Sequence, residues 1–112
     1  MELSVSRCGE VCVVGVRGSI DGSTAAQLQD TVAREITGNA TRMVVDCAGL
    51  EYTSSAGLRA LLAGVKECRR QGGDLRLAAV SGGVRRVLDL SGFTGILRIY
   101  PDVDAAVSSY AA

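Results

Sequence analysis

The stretch Leu50-Glu51-Tyr52-Thr53-Ser54-Ser55-Ala56-Gly57-Leu58 joins an apolar strand to an apolar-striped helix and places three hydroxyl residues at the junction. The first N–H groups of a helix have no partner within the helix and carry partial positive charge, so a phosphate placed there is stabilised. A serine at the same place can instead cap the helix, an interaction worth about 1 kcal/mol. The stretch alone leaves both interpretations open.

A β-hairpin and a helix are predicted before this stretch. Residues 3–6 alternate apolar and polar side chains, Cys8-Gly9-Glu10 gives a turn, and residues 11–16 form a second apolar run. Thr24 and Gln27 have the spacing of a capping box, which predicts that a helix begins there. Its apolar positions recur at helical spacing as far as Gly38-Asn39, where the helix is predicted to end.

Strands and helices alternate through the rest of the chain. Residues 43–47 are rich in β-branched side chains and predict a strand that leads into the opening stretch, and the stripe from Leu58 to Cys68 predicts the helix after it. Residues 75–80 and 96–100 are predicted as the last two strands, with a short helix between them. Asp102 is placed to cap a final helix.

The resulting order, β-β-α-β-α-β-α-β-α, predicts an α/β fold with a five-stranded mixed sheet in a single domain over residues 1–112. Polar side chains interrupt the strands, which predicts that the helices lie mainly on one face of the sheet and that Arg76 meets water. The interrupting residues are Ser4, Ser6, Arg17, Arg42, Asp46, Arg76 and Arg98.

Composition narrows the classes of partner. Twelve basic and twelve acidic residues cancel, and the chain has no basic stripe, so a nucleic acid is not expected as a partner. No run approaches the ~18 apolar residues of a membrane span, so we expect a cytoplasmic protein that does not bind membranes. The four cysteines, Cys8, Cys12, Cys47 and Cys68, form no CxxC pair and are predicted to be small buried hydrophobes rather than metal ligands.

Catalysis is not expected either. The chain contains no histidine, and its only lysine, Lys66, lies about three helical turns beyond Ser55, too far for a hydrogen bond on one helix. Neither GxGxxG after a strand nor GxxxxGK[ST] occurs, so no nucleotide cofactor is predicted. A small ligand could still bind at the carboxyl ends of the strands, where Asp21, Ser54 and Ser55 should converge.

Four segments, in this order along the chain, resemble the bacterial anti-sigma factor antagonists of the STAS domain family. They are Gly18-Ser19-Ile20-Asp21, Val44-Val45-Asp46, residues 52–58 and Leu88-Asp89-Leu90-Ser91-Gly92-Phe93. In that family the phosphorylated serine stands two positions before the glycine of the central motif, which here is Ser55. In one form of the motif an aspartate precedes this serine, whereas this chain has Ser54 at that position. We therefore expect Ser54 to cap the helix.

The resemblance implies a binding module that captures an anti-sigma factor, itself a serine kinase, and so releases a sigma factor. The kinase would phosphorylate Ser55 with ATP, and a metal-dependent serine phosphatase would restore it. Magnesium and ATP would belong to those partners, so this chain would carry no cofactor. A phosphoserine adds about −1.5 to −2 charges, which a helix start accommodates but a desolvated interface does not.

The residues around Ser55 are the candidates for partner contact, namely Asp21, Glu51, Tyr52, Thr53, Ser54, Gly57 and Arg59. Asp21 would repel the phosphate or orient the hydroxyl, or else would only form the turn before Gly22. The alternative to partner contact is a half-buried aromatic ring for Tyr52 and a charge exposed to solvent for Arg59. Two alternative functions stay open at this point, a non-switching accessory subunit of a transporter or signalling scaffold and a small-ligand-binding module.

Overall fold

The computed structural model describes residues 1–111, so Ala112 at the end of the predicted domain lies outside the described residues. The elements follow the predicted order. In sequence they are β1 (Glu2–Cys8), β2 (Val11–Ile20), α1 (Ala25–Thr37), β3 (Arg42–Thr53), α2 (Ser55–Arg70), β4 (Asp74–Ala78), α3 (Gly82–Leu90), a 3₁₀ turn (Phe93–Gly95), β5 (Ile99–Tyr100) and α4 (Val103–Ser108).

The five strands lie in the sheet in the same order as in the chain. β1 and β2 form an antiparallel hairpin, as predicted, and the remaining neighbours pair in parallel. Helical crossovers return the chain after β2, β3 and β4, so the carboxyl ends of these three strands meet at one edge. That edge carries the start of α2.

The helices divide unequally between the two faces of the sheet. α1, α2 and α3 pack on one face around a core that includes Val14, Val45 and Leu77. The short helix α4 packs on the other face against Val44 and Ala78. The prediction of an α/β domain with a five-stranded mixed sheet and helices mainly on one face is therefore confirmed.

Arg76 does not meet water, contrary to the prediction, because α4 covers this part of the sheet. The residue is only 9% exposed. Its Nε donates to Asp74 Oδ2 at 3.0 Å and its Nη1 donates to Ser109 Oγ at 2.7 Å, while the guanidinium lies 4.0 Å from the centre of the Tyr110 ring. A charge in a strand therefore marks a buried ion pair here, and not an open face.

The strands differ in length from their predictions. β1 and β2 extend beyond the predicted runs at residues 3–6 and 11–16, and β2 continues to Ile20. β3 continues well past residue 47 to Thr53, because its second half pairs with β2. β4 begins one residue earlier than predicted and ends at Ala78. β5 is limited to Ile99–Tyr100, since Leu97 N donates to Phe93 O and this segment is still part of a turn.

The cysteines are buried with one exception. Cys12, Cys47 and Cys68 lie in the core, as predicted, and all four thiols are free. Cys8 is exposed, contrary to the prediction, because it ends the edge strand β1 at the hairpin turn. Among residues 1–111, no three Cys, Asp or Glu side chains come together as the ligands of a metal ion would.

Candidate functional site at the start of α2

Two β-bulges in β3 shape the approach to α2. Asp46 and Gly49 lie opposite Gly15 and Arg17 of β2, so β3 contains one additional residue there, and a second irregularity follows before Tyr52. Each bulge turns two consecutive residues outward. Cys47, Leu50 and Thr53 consequently point into the protein, and the pairs Ala48-Gly49 and Glu51-Tyr52 are exposed. In the sequence, the spacing of three from Cys47 to Leu50 and from Leu50 to Thr53, where a regular strand has a spacing of two, was the signal for these bulges.

The start of α2 is fixed to the end of β2. Ser54 N donates to Ile20 O at 2.8 Å, which attaches the residue before the helix to the neighbouring strand. The Ser54 hydroxyl oxygen then accepts a hydrogen bond from Gly57 N at 3.3 Å. Ser54 is therefore the helix cap, as predicted, and Ser55 is the first residue of α2 with its side chain exposed.

Thr53 and Gly57, both nominated as contact residues, lie inside the protein and not on its surface. Thr53 is 2% exposed, and its hydroxyl donates to Ser54 O at 3.3 Å. A Cβ on residue 57 would overlap Thr53 Oγ1 and would lie 2.8 Å from Ile20 Cγ2. Both residues therefore act by packing α2 against the strand ends.

Asp21 forms the turn that precedes α1. Its Oδ1 accepts from Ser23 N at 2.9 Å, from Ser23 Oγ at 2.6 Å and from Thr24 N at 3.1 Å. Thr24 Oγ1 in turn accepts from Asp21 N at 2.8 Å. The capping box thus joins Asp21 and Thr24, and the predicted box between Thr24 and Gln27 does not form, because the Thr24 side chain is already used.

The electrostatics of Asp21 follow from the same turn. Hydrogen bonds from the Ser23 hydroxyl and backbone N–H hold the pKa of this carboxyl below its usual range, so it is ionised at neutral pH. Asp21 follows Ile20, the residue that accepts from Ser54 N, and therefore lies at the same edge of the sheet as Ser55. A negative charge thus stands at this edge even before any modification.

An exposed rim surrounds the first turn of α2. Tyr52 is 54% exposed, and Glu51, Ser55 and Arg59 are exposed as well. The rim combines a hydroxyl, an aromatic ring and charges of both signs. These groups can bind a protein surface, and an added phosphate would change their charge balance directly.

The surface cleft of the protein that is formed by β1, β2 and β3 does not include the exposed serine. A surface cleft of about 280 Å³ is lined by Ser4, Gly15, Arg17 and Asp46, among others, and none of Asp21, Ser54 and Ser55 contributes to it. None of the helices within residues 1–111 is both long enough and apolar enough to cross a membrane.

Several solved structures with this fold are described as anti-sigma factor antagonists, and another is a sulfate transporter family protein from Wolinella succinogenes. A crystal structure of one from Mycobacterium paratuberculosis superimposes with a TM-score of 0.89 at 26% identity, covering 99% of this chain and 94% of that one. The antagonist SpoIIAA in its unphosphorylated form gives a TM-score of 0.84 at 19% identity over 96% of this chain and 95% of its own. Its phosphorylated form from Bacillus gives 0.75 at 20% identity over 96% and 98%.

The sequence comparisons identify the family. The family model described as the STAS domain matches residues 2–106, and the chain belongs to that family. Among relatives, BtrV of Bordetella bronchiseptica, named as a candidate anti-sigma factor antagonist, is 30% identical over 110 residues, which span 98% of this chain and 95% of BtrV. The resemblance inferred from the motifs is thereby confirmed.

Proposed function

We propose that this protein is an anti-sigma factor antagonist whose binding to its partner is switched by phosphorylation of Ser55. The observation that carries the proposal is the exposed position of Ser55 as the first residue of α2, directly after a serine that already caps the helix. The names of the STAS relatives support the antagonist function. The position of Ser55 supports the switch.

The three neighbouring hydroxyls differ in their availability to a kinase. Thr53 is 2% exposed, so its oxygen is not accessible without local unfolding. The Ser54 oxygen accepts the hydrogen bond from Gly57 N, and its modification would cost the cap, about 1 kcal/mol. Ser55 is exposed and lies outside the cap, so it can be phosphorylated with the least change in structure.

Phosphorylation of Ser55 would act on binding and leave the fold intact. The positive end of α2 favours a negative group at its first residue, and the first turn of α2 contains no acidic side chain. SpoIIAA, which shares the fold, has been solved in both an unphosphorylated and a phosphorylated form. In an interface that covers Tyr52 and Ser55, an unmatched phosphate would weaken the complex by several kcal/mol.

The partners in this proposal are an anti-sigma factor that is itself a serine kinase and a metal-dependent serine phosphatase. The unmodified surface holds the anti-sigma factor and releases its sigma factor. The kinase ends this state by phosphorylating Ser55, and the phosphatase restores it. The chain works throughout as a binding protein and an acceptor of phosphate, without catalysis of its own.

The test compares Ser55→Ala, Ser55→Glu and wild type for affinity to the anti-sigma kinase encoded nearest in the genome. We expect Ser55→Ala to bind like wild type and to take up no phosphate, and Ser55→Glu to bind at least about tenfold more weakly, a loss of about 1.4 kcal/mol. Gly82→Glu is a matched control, because residue 82 is the first residue of α3 after the Ser81 cap and has open space around it. It should bind like wild type.

Equal affinities for Ser55→Ala and Ser55→Glu would contradict the switch. Phosphate found by mass spectrometry on Ser54 or Thr53, with Ser55 unmodified, would contradict the choice of acceptor. A Ser55 that stays unmodified with each candidate kinase would favour the accessory-subunit function instead.

A further inference from the structure

Arg59 stands one helical turn after Ser55, on the same side of α2. Residues four apart on a helix have Cβ atoms about 5 to 6 Å from each other, and an acidic group four residues before a basic one is the favourable orientation. The other two arginines of α2 are already engaged, since Arg69 pairs with Asp74 at 2.9 Å and Arg70 with Glu67 at 2.6 Å. Among residues 1–111, the ion pairs do not include Arg59.

No side chain on α2 competes for Arg59. The positions three and four residues away are Ala56, Leu62 and Ala63 in addition to Ser55, and none of these carries a charge. Arg59 is exposed, so its guanidinium can move toward the first turn of the helix. A phosphate on Ser55 would therefore be the first acidic group within helical reach of this arginine.

We propose that Arg59 is the internal partner of phosphoserine 55, and that phosphorylation switches binding partly by withdrawing Arg59 from the partner protein. The second part of this inference, the effect on binding of the partner protein, rests on the proposed function. In the unmodified protein the guanidinium is available to a carboxylate of the anti-sigma factor. After phosphorylation it binds the phosphate oxygens by charge-assisted hydrogen bonds within the same helix.

The pairing gives phosphorylation two effects. The phosphate adds negative charge to a rim that already includes Glu51, with Asp21 at the same edge, and it also removes the cation at Arg59 from the surface. A partner surface that was complementary to the unmodified rim then faces repulsion where it previously had attraction. Loss of one attractive contact and gain of one repulsive charge together make a sharper switch than either alone.

The first test isolates the pairing from any partner. Phosphoserine is installed at position 55 during synthesis, in otherwise wild-type protein, in Arg59→Gln and in the matched control Lys66→Gln, and the phosphate is titrated by ³¹P NMR. Asp21 and Glu51 raise the phosphate pKa equally in all three proteins, so the difference reports Arg59. We expect the pKa to be about 0.2 to 0.4 units higher in Arg59→Gln than in the other two.

The second test measures affinity for the anti-sigma kinase, with and without phosphoserine 55, in wild type and Arg59→Gln. We expect Arg59→Gln to weaken binding of the unmodified protein several-fold and to reduce the fold-change caused by the phosphate. Equal phosphate pKa values in wild type and Arg59→Gln, or equal shifts in Arg59→Gln and Lys66→Gln, would overturn the pairing. A shifted pKa together with unswitched binding would instead contradict the proposed function and leave the pairing in place.

Discussion

The hydroxyl oxygen of Thr53 occupies the space where a Cβ on residue 57 would have to lie. Gly57 is therefore required by the close approach of α2 to the ends of β2 and β3, and not by an unusual backbone angle. The same contact buries Thr53 and holds the first turn of α2 in place, with Ser55 directed outward. The glycine that helped to identify the motif is a packing residue beneath the site.

Gly57→Ala should destabilise the protein. The new methyl group overlaps Thr53 Oγ1 and crowds Ile20, and overpacking of this kind costs about 1 to 3 kcal/mol, which exceeds the gain in helix propensity. Urea denaturation measures the change. Gly83→Ala, in α3 with no atom within 4 Å of the added Cβ, is the matched control and should be neutral or stabilising. Equal stability of the two variants would contradict the packing argument.

Arg76→Ala should lower the free energy of unfolding by about 3 kcal/mol, because it removes one partner from a buried ion pair. Asp74 keeps its bond from Arg69 Nε at 2.9 Å, but Ser109 and the Tyr110 ring lose the guanidinium that connects α4 to the sheet. The measurement is again urea denaturation.

The exposed Arg98 provides the control for this substitution. Arg98→Ala should change stability by no more than about 0.5 kcal/mol. If Arg76→Ala were as mild as Arg98→Ala, the ion pair beneath α4 would have no role in stability.

Alkaline pH should destabilise the fold through the buried thiols. Burial raises the pKa of Cys12 and of Cys68 to about 11 and the pKa of Cys47 to about 12. In the unfolded chain these thiols lose their protons near their ordinary pKa, about 8.5, while the folded protein still retains them. Stability is therefore constant below this value and falls as the pH rises through 9 and 10.

Urea denaturation at pH 7.5, 9 and 10 measures this dependence. Cys47→Ala should reduce the slope of stability against pH, whereas Cys8→Ser should leave it unchanged because Cys8 is exposed. A stability that is constant up to pH 10 would show that the buried thiols ionise as readily in the folded as in the unfolded state.

Short-range sequence signals predicted most of the local features correctly. The turn at Gly9, the Asp102 cap and the order of strands and helices depend on neighbours a few residues apart, and all are found in the structure. The capping box was predicted between Thr24 and Gln27, but Asp21, which lies equally near in sequence, exchanges these hydrogen bonds with Thr24 instead. Identification of Ser55 as the phosphate acceptor stays a prediction that the experiments above test.

The sequence by itself determined the succession of elements and the placement of two consecutive serines at the start of α2, since turn signals and periodicity are properties of a short stretch of chain. Only the tertiary structure decided that Tyr52 faces outward while Thr53 is buried, and that Arg76 lies beneath α4. Those outcomes depend on the bulged pairing of β3 with β2 and on where a distant helix packs. Strand register and helix docking are set by contacts between segments far apart in the chain, which no local pattern specifies.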